Sequence, residues 1–248
     1  MSAGFDGRRE VARFLSQRKD LGLTEIFLDG LSRERVLECA AGRRDESGRE
    51  AEPAAVVASE VGLGRLDYEA LKQEAESCER CRLSKGRTHV VFSDGNPQAR
   101  LMVVGEAPGA NEDRTGLPFV GQAGKLLDLL LASVDLSRKD TVYICNVLKC
   151  RPPGNRNPMP DEIDLCAPYL RRQIALVAPE VILAVGTFAA KLLTGLDRPL
   201  GKLRGSVYSY EGVPLVVTYH PAALLRNSGW TRSTWNDLQL LRQVMDGD

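Results

Sequence analysis

From residue 88 onward, short apolar runs alternate with amphipathic stretches. THVVF (88–92), RLMVVG (100–105), TVYICN (141–146), VILAVG (181–186) and PLVVTYH (214–220) have the length and β-branched content of buried strands. Between them, 121–134, 161–177 and 187–195 carry apolar residues at helical spacing. Continuous apolar strands separated by helices predict one α/β domain of three layers, with a central, mostly parallel sheet and helices on both faces. In such sheets ligands bind beyond the carboxyl ends of the strands. The residues that follow each run therefore matter most: GEAPG at 105–109, Asn146 and the loop to Asn157, Gly186-Thr187, and His220-Pro221.

The N-terminal texture differs. Two amphipathic segments within 8–42 flank TEIFLDG, and 43–62 is charged, small and Pro/Ser-containing, which reads as a flexible linker. A further helix is expected over 66–77. The division is a helical N-terminal extension, 1–75, and an α/β domain, 76–248. No internal repeat is visible.

The chain has 248 residues, 43% hydrophobic, with Lys+Arg 33 balancing Asp+Glu 33. That supplies one sizeable core and excludes a polybasic or highly acidic protein. The zero sum conceals an asymmetry: 12 basic against 16 acidic side chains in 1–77, and 21 against 17 in 78–248. A mildly basic C-terminal body suits a polyanion only weakly. No apolar run approaches membrane-spanning length, and the charged N-terminus lacks a signal-peptide core, so a cytoplasmic protein is expected.

Six cysteines, Cys39, Cys78, Cys81, Cys145, Cys150 and Cys166, argue against a disulfide framework in that compartment. Cys78-Glu79-Arg80-Cys81 puts two thiols on one turn, as zinc or an iron–sulfur cluster requires, and Cys150 and Cys166 are the downstream candidates. A thioredoxin-like redox pair and unliganded cysteines are the rival readings. Cys145, inside an apolar strand, reads as a small core hydrophobe, and Cys39 as a helix-packing residue.

The loop after the second run holds the candidate chemistry. Gly105 and Gly109 allow close backbone approach, although the pattern is not a dinucleotide fingerprint. Glu106 and Glu112 can order or deprotonate a water, whereas Asp113 reads as structural. Phe119, in a Gly/Pro-rich loop, can stack on a planar base. Asn146 offers one acceptor and two donors to a pyrimidine edge. The basic, proline-rich loop LKCRPPGNRNPMP, with Arg151, suits a phosphate backbone. His220 can hydrogen-bond to charge developing on a leaving group. Leu224, Leu225 and Arg226 can supply an apolar wedge and a phosphate-facing cation.

Together, GEAPGxxED, LPFVGxAG, Asn146 with KCRPP, and HPAALLRN resemble the family 4 uracil-DNA glycosylases of bacteria and archaea, over residues from about 76 to 245. The resemblance implies a uracil-DNA glycosylase-like fold and monofunctional hydrolysis of the N-glycosidic bond of uracil in single- or double-stranded DNA. It implies a structural [4Fe–4S] cluster on Cys78, Cys81, Cys150 and Cys166. It also implies that Phe119 stacks on the extruded base, Asn146 reads its edge, His220 contacts O2, and Glu106 with Ala107 and Pro108 lines the pocket and water site. Ala107 stands where better-known uracil glycosylases carry a water-activating Asp, which leaves part of that work to Glu106 or Glu112, or else a dissociative mechanism that needs less water activation. A monomer is expected, with residues 1–75 open to a protein partner. The alternatives are a catalytically silent iron–sulfur nucleic-acid-binding module on the same fold and a zinc protein.

Overall fold

The computed structural model describes residues 62–247. The helices expected in 8–42, Cys39 and nearly all of the 43–62 linker lie outside the described residues.

Six strands form one sheet: β1 (Asp94–Gly95), β2 (Leu101–Gly105), β3 (Val142–Asn146), β4 (Val181–Val185), β5 (Val207–Tyr210) and β6 (Val213–Thr218), in the order β1-β3-β2-β4-β6-β5. The four central strands run parallel, and β1 and β5 close the edges antiparallel. Every residue of β2, β3 and β4 is buried, as a sheet covered on both faces demands.

Strand alternation sorts the core into two layers. Leu101 and Val103 of β2 face one side, packing with Leu127 and Leu131 of α3 (Gln122–Ala132) and Leu238 and Leu241 of α8 (Thr231–Asp246). Met102 and Val104 face the other, packing with Leu170 and Ile174 of α4 (Pro160–Val177) and Ala189 and Leu193 of α5 (Thr187–Thr194). The short helices α2 (Ala110–Thr115), α6 (Leu200–Leu203) and α7 (Pro221–Arg226) complete the connections.

Three expectations change. THVVF is not a strand: its one ladder-like bond is the Val91 N–H to the Lys149 carbonyl, 2.8 Å, and pairing resumes only over the two residues of β1. The expected 66–77 helix is α1 (Tyr68–Glu76), but Leu71 and Ala75 pack with Phe92 and Tyr169, so α1 is part of the α/β body rather than of the extension. Strand β5 was not anticipated. Its hairpin to β6 turns through Glu211 and Gly212, both at positive φ (49° and 90°), the geometry of a two-residue turn that matches strand twist.

Candidate active site and thiol cavity

The carboxyl ends of β2, β3 and β6 open into one pocket of about 170 Å³. Glu106, Ala107, Pro108, Glu112, Phe119, Asn146 and His220 all border it, so most of the residues singled out in the sequence converge.

Asn146 ends β3 and is 2% exposed, and its Oδ1 has no hydrogen-bond partner. A buried polar atom left unpaired costs about 1–3 kcal/mol, so a ligand that pairs it recovers that penalty. The amide lies against Gly105, where a Cβ would stand 2.4 Å from Oδ1 and 2.5 Å from the Phe119 ring. Only glycine leaves room for both groups on this floor.

Phe119 is held in a left-handed conformation at φ 54°, unusual for a bulky residue. Arg138 stabilises it by donating to the Pro118 and Phe119 carbonyls (3.0 and 2.8 Å) while ion-paired to Asp94 and Asp128. Gly124 of α3 lets the loop approach, because a Cβ there would stand 1.6 Å from the Phe119 carbonyl oxygen.

His220 caps α7: its Nδ1 accepts the Ala222 N–H at 3.1 Å. In the neutral ring this places the proton on Nε2. Burial, seconded by the Arg226 charge, holds the His220 pKa down at about 4. The ring is therefore a neutral donor near pH 7. It stacks against Phe119 with centroids 5.4 Å apart and sits over Gly186.

The two glutamates part company. Burial pushes the Glu106 carboxyl above its ordinary value, opposed by Arg226. The Glu112 oxygens accept the N–H groups of Gly109 (3.1 Å), Val120 (2.9 Å) and Gly121 (2.9 Å). Glu112 thus fastens the two pocket loops together while bordering the pocket, with two accepted bonds on Oε1 and one on Oε2. Asp113 accepts from the N–H and hydroxyl of Thr88, a structural tie as expected.

The proposed wedge also divides. Leu224 is 4% exposed and packs in the core beside α3 and α8, whereas Leu225 is 54% exposed beside exposed Arg226. Leu224 is packed in the core, and Leu225 is the leucine that α7 presents to solvent. Arg151 is half-buried and donates to Asn155 Oδ1 at 2.7 Å, bracing its own loop. Sequence reasoning missed Arg138, buried Lys149, whose ammonium donates to the Asn146 carbonyl at 2.7 Å, and Arg156, which lines the pocket and forks onto buried Glu162. Lys149 and Arg156 belong to the basic loop read from the sequence, but their inward partners, a backbone carbonyl and a buried carboxylate, are not marked there; Arg138 binds groups up to 44 residues away.

On the far side of the Asn146–Asn157 loop, Cys78, Cys81, Cys150 and Cys166 line one small cavity with Ala75, Leu83, Leu148 and Tyr169. All four thiols are free. The Arg87 guanidinium donates to Cys150 Sγ and the Lys149 N–H to Cys166 Sγ, both at 3.4 Å. Burial raises the thiols of Cys81, Cys150 and Cys166, the last to about 12. Among the described residues, no three His, Cys, Asp or Glu side chains converge as ligands of a single metal ion. Cys145 is wholly buried in the sheet, as expected of a small hydrophobe.

A parallel sheet that gathers an unpaired amide, an aromatic ring and a neutral imidazole at its strand ends matches a known family. The model of the uracil DNA glycosylase superfamily matches residues 92–239. The chain belongs to this superfamily. Within it, the chain is similar to type-4 uracil-DNA glycosylases: that of Sulfurisphaera tokodaii is 41% identical over 71% of this chain and 84% of its own length. The enzyme of Archaeoglobus fulgidus is 47% identical over 62% and 80%, and that of Thermotoga maritima 44% over 64% and 83%.

Proposed function

We propose that this protein is a DNA-repair glycosylase that takes uracil out of the DNA stack and hydrolyses its N-glycosidic bond, leaving an abasic site. The observation that carries the reading is the buried, unpartnered Asn146 amide at the end of β3. A pyrimidine edge supplies the partner that the fold withholds.

The extruded base enters beneath Phe119 and pairs with Asn146. As the N1–C1′ bond breaks, its electron pair stays with the base and the sugar takes on oxocarbenium character. The neutral His220 Nε2–H donates to the oxygen on which negative charge gathers. A preorganised donor of this kind is worth about 10²–10³ in rate. Water then bonds to C1′. Glu106, the pocket carboxylate not tied to backbone amides, orients that water and takes up its proton. Leu225 and Arg226 occupy the duplex gap and meet the phosphates.

The thiol cavity fits the four-cysteine group of the type-4 enzymes: four free thiols, apolar walls, two N–H donors aimed at sulfur, and no carboxylate or imidazole in the lining. When bound, a [4Fe–4S] cluster would tie together the turn after α1, which holds Cys78 and Cys81, the 147–159 loop and α4. Cys150 sits in the segment that follows Asn146 and carries Pro152, Asn155 and Arg156 into the pocket, so the group is structural in this reading. Residues from α1 onward are taken as the catalytic unit, acting as a monomer in the cytoplasm, with the part of the 1–75 extension that precedes α1 available to a protein partner. Among the described residues, no helix is long and apolar enough to cross a membrane.

The test is single-turnover excision on a labelled oligonucleotide with one uracil, single-stranded or opposite G or A, beside a thymine control. Alkali-dependent scission at uracil alone, lost in Asn146→Ala, is expected. Tight DNA binding without scission would transfer the reading to the silent binding module.

A further inference from the structure

Beyond α7 the chain builds a second aromatic surface that the excision chemistry does not use. Trp230 is 39% exposed and stacks flat on Tyr219, with centroids 4.6 Å apart and planes 10° from parallel. The Arg204 guanidinium lies over the Tyr219 ring at 4.3 Å. Arg204 is itself fixed by Asp237 at 2.7 Å, and the same Asp237 oxygen accepts the Thr218 hydroxyl at 2.6 Å. Asp237 is 2% exposed. An indole stacked on a tyrosine ring that an ion-paired guanidinium backs, with part of its own surface left in solvent, is an ordered platform rather than a core residue.

The surroundings select the ligand. Tyr219 directly precedes His220 of the pocket, and Trp230 lies four residues beyond Arg226, so the platform continues the wedge segment outward. The two neighbouring stretches, 198–210 and 219–236, contain Arg198, Lys202, Arg226 and Arg232 besides Arg204, whose charge Asp237 balances; of the acids that flank them, Asp197 pairs with Lys191, and Glu211 stands in the β5–β6 turn. Local positive charge around an exposed aromatic face, in a chain of zero net charge, is the composition of a single-strand stacking site.

We propose that Trp230 stacks on an unpaired base of the DNA strand flanking the uracil, anchoring single-stranded substrate while Arg226 and Arg232 meet its phosphates. This rests on the glycosylase reading, yet it can be tested apart from it, because the chain has only two tryptophans. In full-length Trp235→Phe, Trp230 is the sole indole. Titration with an all-thymine oligonucleotide is expected to quench its fluorescence, and an abasic oligonucleotide of equal length is expected to quench it far less. Trp230→Ala should raise the single-stranded DNA concentration for half-maximal excision by about 5- to 100-fold, the range that one stacked base supports, with Trp230→Phe recovering most of it. The plateau rate should stay within about twofold, since the reacting atoms are untouched. Equal quenching by both oligonucleotides, no quenching, or a Trp230→Ala protein that binds like the parent would overturn the proposal. If Trp230→Ala does not fold, the Trp235→Phe titration decides alone. Absence of uracil excision by the unaltered protein would defeat the functional reading and leave this titration interpretable.

Discussion

At the residue scale, the pocket separates groups that share a chemistry. Glu106 and Glu112 look equivalent in sequence, six residues apart on one loop. The fold ties one to three backbone amides and leaves the other facing the cleft. Glu106→Gln is therefore expected to slow excision while keeping or improving thermal stability at neutral pH. A carboxyl raised by burial binds its proton more tightly when folded, so its ionisation on raising the pH costs the native state. Glu112→Ala should cost about 1–3 kcal/mol in denaturant unfolding, because three N–H groups lose their acceptor. If Glu106→Gln destabilised the protein and Glu112→Ala did not, the assignment would be reversed. His220 has the opposite linkage. Its folded pKa of about 4 lies below the ordinary 6.5, so between those values the unfolded chain holds a proton that the folded chain does not. Stability should fall as pH drops through that window, and His220→Asn, which keeps a capping acceptor, should flatten the fall. The same variant should lose about 10²–10³ in single-turnover rate. Asn146 and His220 were legible from sequence because parallel strands deliver ligands to their carboxyl ends. The division between the glutamates was not, since it depends on which amides already occupy the oxygens.

At the element scale, α7 shows how phase decides role. Leu224 and Leu225 are adjacent and chemically identical, and the single-residue helical step of about 100° sends the first into the core and the second into solvent. Leu224→Ala should destabilise by about 2–5 kcal/mol, as buried leucine truncations do. Leu225→Ala should leave stability within about 0.5 kcal/mol and raise the duplex concentration needed for half-maximal excision. Thermal melts and excision titrations on duplex check both, and equal melting losses would refute the division. A helix of six residues is too short for its apolar spacing to set its phase, which is why HPAALLRN suggested a wedge without saying which leucine forms it. The central strands were readable because long apolar runs have few other fates. THVVF misled because Phe92 is buried against α1 and Tyr169, and Val91 makes a single backbone bond, to Lys149, rather than a ladder. Strand β5 escaped notice because its alternation is exposed and short, although the Glu211-Gly212 turn marks its end.

At the scale of the whole molecule, the reading pocket and the thiol cavity lie on either side of one loop, joined by Lys149, which donates its ammonium to the Asn146 carbonyl and its backbone N–H to Cys166. Disturbing the cavity should therefore reach the pocket. Cys166→Ser is expected to lose visible colour and excision together while far-ultraviolet circular dichroism keeps most of its amplitude, because the sheet core does not depend on the cysteines. A colourless variant with full activity would detach the two sites. The family was legible because three strand ends and a cysteine set occur in a fixed order; the coupling was not, since the KCRPP motif shows Lys149 as a loop cation and not its bonds to Asn146 and Cys166. The unpaired amide of Asn146 has one more consequence. In the proposed reading the pocket's grip is on the base rather than on the sugar, and the base keeps its edge after the bond is broken. Free uracil should thus compete with DNA, and turnover should be paced by the departure of a product that fits its seat as well as the substrate did.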